Sequence, residues 1–153
     1  MVLSSLGYQG SNPGEFFSVL KDNNIKILVD VRENPVSRKK GFSKNALKKA
    51  SEENGIEYIH FSSLGSRRDI RKEYRSNNNW VLFSEQYKKY LVSQTDEIMK
   101  LSELIFENNC CLMCFETDYK LCHRSLLIDH LLKDLDESIN IKHLIVAEKA
   151  VPA

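Results

Sequence analysis

Apolar residues along this chain gather into five short, nearly continuous runs: Val2–Leu6, Ile25–Val31, Ile56–Phe61, Cys110–Phe115 and Ile141–Val146. A continuous apolar run predicts a strand covered on both faces, because a strand with one wet face would alternate. Between the runs the apolar positions switch to helical spacing. Ser11-Asn12-Pro13 supplies a cap and a first-turn proline ahead of Phe16, Phe17 and Leu20. Ser43 stands before a segment carrying Leu47 and Ala50, which Gly55 closes just past Asn54. Tyr87, Leu91, Ile98, Leu101 and Ile105 keep helical spacing between Ser84 and Asn108, in one helix or in two broken near Ser93–Thr95. Leu127, Leu131 and Leu135 mark a final helix.

The order is strand–helix, repeated, with a strand at the end. Strands alternating with helices imply right-handed crossovers and a parallel sheet. The expected fold is therefore α/β: a single three-layer sandwich, with a mostly parallel five-stranded sheet and helices on both faces. A length of 153 residues fits one domain over residues 1–153. Ser62–Phe83 is the one stretch without an assigned element. At roughly twenty residues it exceeds ordinary loops, which makes it a functional lid or the seat of an unresolved short helix.

In a parallel α/β sheet, ligands bind beyond the carboxyl ends of the strands. The loops leaving those ends are polar or charged. The first begins Gly7-Tyr8; the second holds Asp30, Arg32, Ser37 and Arg38; the third holds His60, Arg67 and Arg68; the fourth runs from Glu116 to Arg124-Ser125. Arginine forks and exposed amides suit phosphate or carboxylate, so Gly7, Tyr8, Arg32, Ser37, Arg38, His60, Arg67, Arg68, Arg124 and Ser125 are candidate ligand-binding residues. The run Arg71, Lys72 and Arg75 reads instead as a solvated loop, offset by Asp69 and Glu73.

The fourth loop carries the densest chemistry. Cys122 at a helix start beside Arg124 is the candidate nucleophile, because both features favour the thiolate. It is otherwise a small buried residue, as most free cysteines are. His123 adjoins it, and Glu116 is placed to orient Arg124 or to act as a general base. These three form the candidate catalytic set, with Cys114 read as core. Within the fourth strand Cys110, Leu112 and Cys114 should share one face, and Cys111 and Met113 the other. The C-x-x-C spacing of Cys111 and Cys114 therefore does not form a chelating pair. Cys114, Cys122, His123 and His60 make an allowed zinc set, but no pair of knuckles is present, so neither metal nor cofactor is expected.

Composition narrows the partners. The formal net charge is +1, so a preference for polyanions must be local. No apolar run is long enough to span a bilayer, and the N-terminus lacks a secretory pattern. A cytoplasmic location is expected, where the four cysteines would be reduced and a disulfide framework absent. An anionic small molecule or nucleic acid is the expected partner. The oligomeric state is not encoded in any feature of the sequence.

Several of these motifs occur together in a known family. Gly7-Tyr8, the run ILVDVRENPVSRKKGFSKNAL, GIEYIHFSSLG and CFETDYKLCHRSLL resemble the family catalogued as domain of unknown function 488, from about Leu6 to about Leu132. The resemblance implies an α/β domain and carries no settled activity. Its shared polar positions map to Asp30, Arg32, Pro35, Ser37, Arg38, Phe42, His60, Gly65, Glu116, Cys122, His123 and Arg124. Ser66-Arg67-Arg68-Asp69 departs from the proline-bearing turn of many relatives. A looser likeness links ILVDVR and Arg124-Ser125 to rhodanese-type domains, although the spacing of Cys114 and Cys122 does not fit their catalytic loop. The expected function is binding or processing of an anionic, nucleotide-like or nucleic-acid ligand. The alternatives are a non-catalytic nucleic-acid-binding module, with Tyr74 and Trp80 as stacking partners, and a sulfurtransferase using a persulfide on Cys122.

Overall fold

The computed structural model describes residues 1–135 and 138–146. Five strands, β1 (Val2–Gly7), β2 (Ile27–Asp30), β3 (Glu57–His60), β4 (Cys110–Cys114) and β5 (Asn140–Leu144), form one sheet in the order β3-β2-β4-β1-β5. Every pairing is parallel. The helices are α1 (Pro13–Asp22), α2 (Lys44–Glu53), α3 (Arg68–Asn77), α4 (Trp80–Val92), α5 (Thr95–Glu107) and α6 (His123–Asp134).

The sheet separates two apolar clusters. On one face Leu6, Leu28, Cys111 and Met113 pack against Phe16, Phe17 and Leu20 of α1 and Leu47 of α2. On the other, Leu3, Val29, Leu112 and Cys114 meet Phe83, Tyr87, Leu101, Leu127 and Leu131 from α4, α5 and α6. The three-layer expectation holds, and so does the predicted alternation along β4.

The helix starts differ from one another. Asn12 caps α1 with a full capping box: its side chain accepts from Glu15 N at 2.8 Å, and the Glu15 carboxylate accepts from Asn12 N at 3.1 Å. Ser43 occupies the cap position of α2 but makes no capping bond. Its hydroxyl accepts instead from Ser37 N at 3.0 Å, tying down the loop after β2.

Two alternatives left open by the sequence are decided. Ser62–Phe83 is not a loop: a short 3-10 turn, Ser62–Leu64, leads into α3, and α4 has already begun at Trp80. The segment Arg68–Asn77 buries only Ile70, so its apolar stripe is too thin to show as a period. The helical pattern after it forms two helices, with the break at Ser93-Gln94. None of the helices among the described residues is long and apolar enough to cross a membrane.

Candidate functional site

The topology opens a crevice at the carboxyl edge. β4 lies between β2 and β1. The chain leaves β1 and β2 toward α1 and α2 on one face, and leaves β4 toward α6 on the other. Adjacent strands whose connections diverge in this way leave room between their loops. The resulting cleft holds about 840 Å³. Tyr8–Gly10 after β1, Arg32–Asn34 and Val36–Lys39 after β2, and Cys114–Glu116 after β4 line one side; Arg71, Tyr74 and Arg75 of α3 with Trp80 and Phe83 of α4 line the other.

Beneath it lies a charged network. The side chain of Asp30 is fully buried and that of Arg32 is 8% exposed. Arg32 Nε and Nη2 donate to the two Asp30 oxygens at 2.9 and 2.7 Å, and the Tyr58 hydroxyl donates to the same carboxylate. Arg32 Nη1 donates to the Phe42 carbonyl at 2.7 Å and to the Tyr8 hydroxyl at 3.2 Å. Burial works against the Arg32 charge, but Asp30 outweighs it and holds the guanidinium above its ordinary pKa. Burial first, then the Asp30 charge, raises the Tyr58 phenol above its usual value. His60 Nε2 bonds the Arg32 carbonyl at 2.7 Å and so fixes the same loop from β3.

A second network closes around the start of α6. The Cys114 and Cys122 sulfurs are in contact, on Cα atoms 7.7 Å apart. His123 Nε2 lies 2.7 Å from the Val31 carbonyl, which only accepts, so Nε2 carries the hydrogen. Nδ1 is then a lone-pair nitrogen, 3.8 Å from Cys122 Sγ. Burial lowers the His123 pKa and keeps the ring neutral. Arg124 is wholly buried. It donates to Ser5 Oγ at 3.2 Å, to Cys114 Sγ at 2.7 Å, and to the carbonyls of Glu116 and Thr117. Burial lowers its pKa, and the charge of Glu116 works against that.

The candidates divide accordingly. Tyr8, Arg32, Ser37, Arg38, Cys114, Glu116 and His123 reach the cleft wall, whereas Gly7, His60, Arg67, Arg68, Cys122, Arg124 and Ser125 do not. Arg32 and Arg124, expected to present guanidinium groups to a ligand, spend them inside the chain. Gly7 is needed for close packing, since a Cβ there would meet the Glu116 carbonyl oxygen at 1.8 Å. Ser125 Oγ donates to the Cys122 carbonyl at 2.9 Å, and Arg67 pairs with Asp69 at 3.2 Å in solvent. Cys114 and Cys122 are both buried in the core, so Cys122 is not an exposed thiol, while Cys114, core as expected, also borders the cleft. The expectation that the cysteines stand apart as free thiols is corrected for this pair: β4 ends and α6 begins at the same point in space. Cys110 and Cys111 stay free and buried. Arg71 and Arg75, read from the sequence as part of a solvated loop, lie instead on α3 and line the cleft four residues apart, one helical turn from each other.

The family model described as "Domain of unknown function DUF488" matches residues 12–131, which includes both networks apart from Tyr8 and Ser5. The chain belongs to the DUF488 family. No curated protein and no solved structure matches it, and the rhodanese likeness has no counterpart in these comparisons. The DUF488 segment runs from the cap of α1 into α6, so it contains β2, β3 and β4 and leaves out β1 and β5.

Proposed function

We propose that the cleft of this DUF488 domain binds an anionic ligand with an aromatic part, of the nucleotide kind. One observation carries the reading: free cations and an aromatic cluster face the same 840 Å³ space. Arg38, Lys39 and Arg75 line it and are engaged in no ion pair among the described residues. In the same space Trp80 stacks on Phe83 with centroids 5.0 Å apart, and Tyr74 lies 5.2 Å from Phe83. Val36, Phe115 and Leu121 are exposed apolar side chains at the same cleft. Arginine forks take phosphate oxygens, and aromatic faces take bases by stacking.

Trp80 is the only tryptophan, so its fluorescence reports directly on the cleft. Nucleoside phosphates titrated into the protein should change that emission saturably, more weakly as salt rises. Arg75→Ala should weaken binding about tenfold, the worth of one charge-assisted hydrogen bond. The unphosphorylated nucleoside should bind more weakly than its phosphate. An unchanged Trp80 signal, with no heat of binding by calorimetry at millimolar nucleotide, would refute the reading.

A further inference from the structure

The nucleotide reading leaves the sulfur pair at the end of β4 without a role. Cys114 Sγ, Cys122 Sγ and a ring nitrogen of His123 all lie within 4.8 Å of one another. We propose that Cys114, Cys122 and His123 form a binding site for a thiophilic divalent ion such as zinc, with three protein ligands and the fourth position open to the cleft.

The geometry supports this in four ways. Tetrahedral zinc with Zn–S near 2.3 Å and Zn–N near 2.05 Å sets sulfur and nitrogen donors about 3.6 Å apart; Cys122 Sγ and His123 Nδ1 are 3.8 Å apart. The histidine is already oriented as a ligand. Its Nε2–H is held by the Val31 carbonyl, which aims the Nδ1 lone pair at the sulfurs, the outer-shell arrangement that metal-bound imidazoles use. The Cα separation of 7.7 Å exceeds the roughly 4.4–6.8 Å span of disulfides and suits two thiolates converging on a third atom. Finally, Arg124 Nη1 donates to Cys114 Sγ, which stabilises the thiolate form that a metal requires.

Cys114 and His123 border the cleft, and Glu116 Oε2 lies 3.4 Å from Cys114 Sγ. The open position thus faces the same space as the free cations and stands beside a carboxylate. Three protein ligands with an open place is the pattern of zinc that meets a substrate or water, whereas structural zinc is closed by four. The metal binds the reduced pair, whose sulfurs part from their present contact to about 3.8 Å on a shared ion; from that state binding releases the two thiol protons to solvent and changes no oxidation state.

The test uses the whole chain, reduced and freed of metal by chelation, with Co²⁺ as the probe and no nucleotide present. The expected result is one equivalent bound, with a thiolate-to-cobalt charge-transfer band and the intense visible bands of tetrahedral cobalt. Zn²⁺ should displace it. Cys114→Ser and Cys122→Ser should each lose the charge-transfer intensity or the binding. Should either variant fail to fold by circular dichroism, metal protection of wild-type Cys114 and Cys122 against iodoacetamide, reversed by chelator, decides instead. Failure of the reduced wild-type protein to take up cobalt overturns the site. So does a Cys114–Cys122 disulfide that persists, by intact mass, through purification under reductant. Neither outcome bears on Trp80 titrations, so the metal site and the nucleotide reading fail separately.

Discussion

Replacing Asp30 by asparagine tests the charged network that carries the cleft. The Asp30 carboxylate receives four hydrogens: from Arg32 N and Nε on Oδ1, and from Arg32 Nη2 and the Tyr58 hydroxyl on Oδ2. Asparagine nearly preserves the volume but supplies one oxygen and one NH₂. Two of the four donors then face a donor, and the Arg32 guanidinium, 8% exposed, loses its counter-charge. Removing one partner of a buried ion pair costs about 3–5 kcal/mol. Set against a native stability of about 5–15 kcal/mol, that is between a fifth and all of it.

Urea unfolding followed by circular dichroism measures the loss. With a slope of about 2 kcal/mol per molar, the midpoint should fall by about 1.5–2.5 M. The double variant Asp30→Leu/Arg32→Met removes both charges, and a buried pair replaced by apolar residues is close to neutral. It should therefore be more stable than Asp30→Asn, although Phe42 O and the Tyr8 and Tyr58 hydroxyls lose partners. A loss under about 1 kcal/mol in Asp30→Asn, or a double variant less stable than the single one, would show that the pair does not hold the loop as argued.

Two further outcomes follow from close contacts and burial. Gly65→Ala places a Cβ about 2.2 Å from Glu33 N, a backbone atom that cannot turn aside; overpacking of this kind costs about 1–3 kcal/mol. Gly10→Ala meets nothing within 4 Å and bears only the left-handed φ of +77°, worth about 1 kcal/mol. Thermal melts should therefore rank Gly65→Ala as the more destabilised, and the reverse order would contradict the packing. Burial pushes the Cys110 thiol up to about 12 and the Cys111 thiol above its ordinary value. Iodoacetamide at pH 8 should label neither in the native chain, with or without chelator, and both once urea unfolds it; peptide mass mapping reads the result, and rapid native labelling of either would contradict their burial.

The sheet was legible because burial on both faces leaves a mark in the sequence: ILVD and CCLMC contain no wet position, and both are buried throughout. α3 was not legible, since RDIRKEYRSN hides one buried residue among charges, and its helix is made worthwhile by contacts with α4 rather than by its own stripe. The loops of the site were legible as places, because topology alone puts strand ends together. The roles of their charges were not. Whether Arg32 meets a ligand or Asp30 depends on side-chain contacts two residues away, and sequence shows only the adjacency. The meeting of Cys114 with Cys122 likewise depends on how the seven residues between them return over the strand end.

That distinction divides the charges of the cleft into two groups with different consequences when mutated. Arg32 ties the loop after β2 to Phe42 and Tyr8, and Arg124 ties the loop after β4 to Ser5 in β1. Each is a buried cation whose donors go to backbone carbonyls and internal side chains, so substituting it must disturb folding and recognition together. Arg38 and Arg75 are exposed, reach the same space and have no ion-pair partner among the described residues. Their removal should alter ligand affinity and its salt dependence while leaving the unfolding midpoint nearly unchanged, because exposed charges contribute little to stability. The two motif arginines therefore build the cleft, and the cations proposed to meet a ligand in it come from α3 and from the loop after β2.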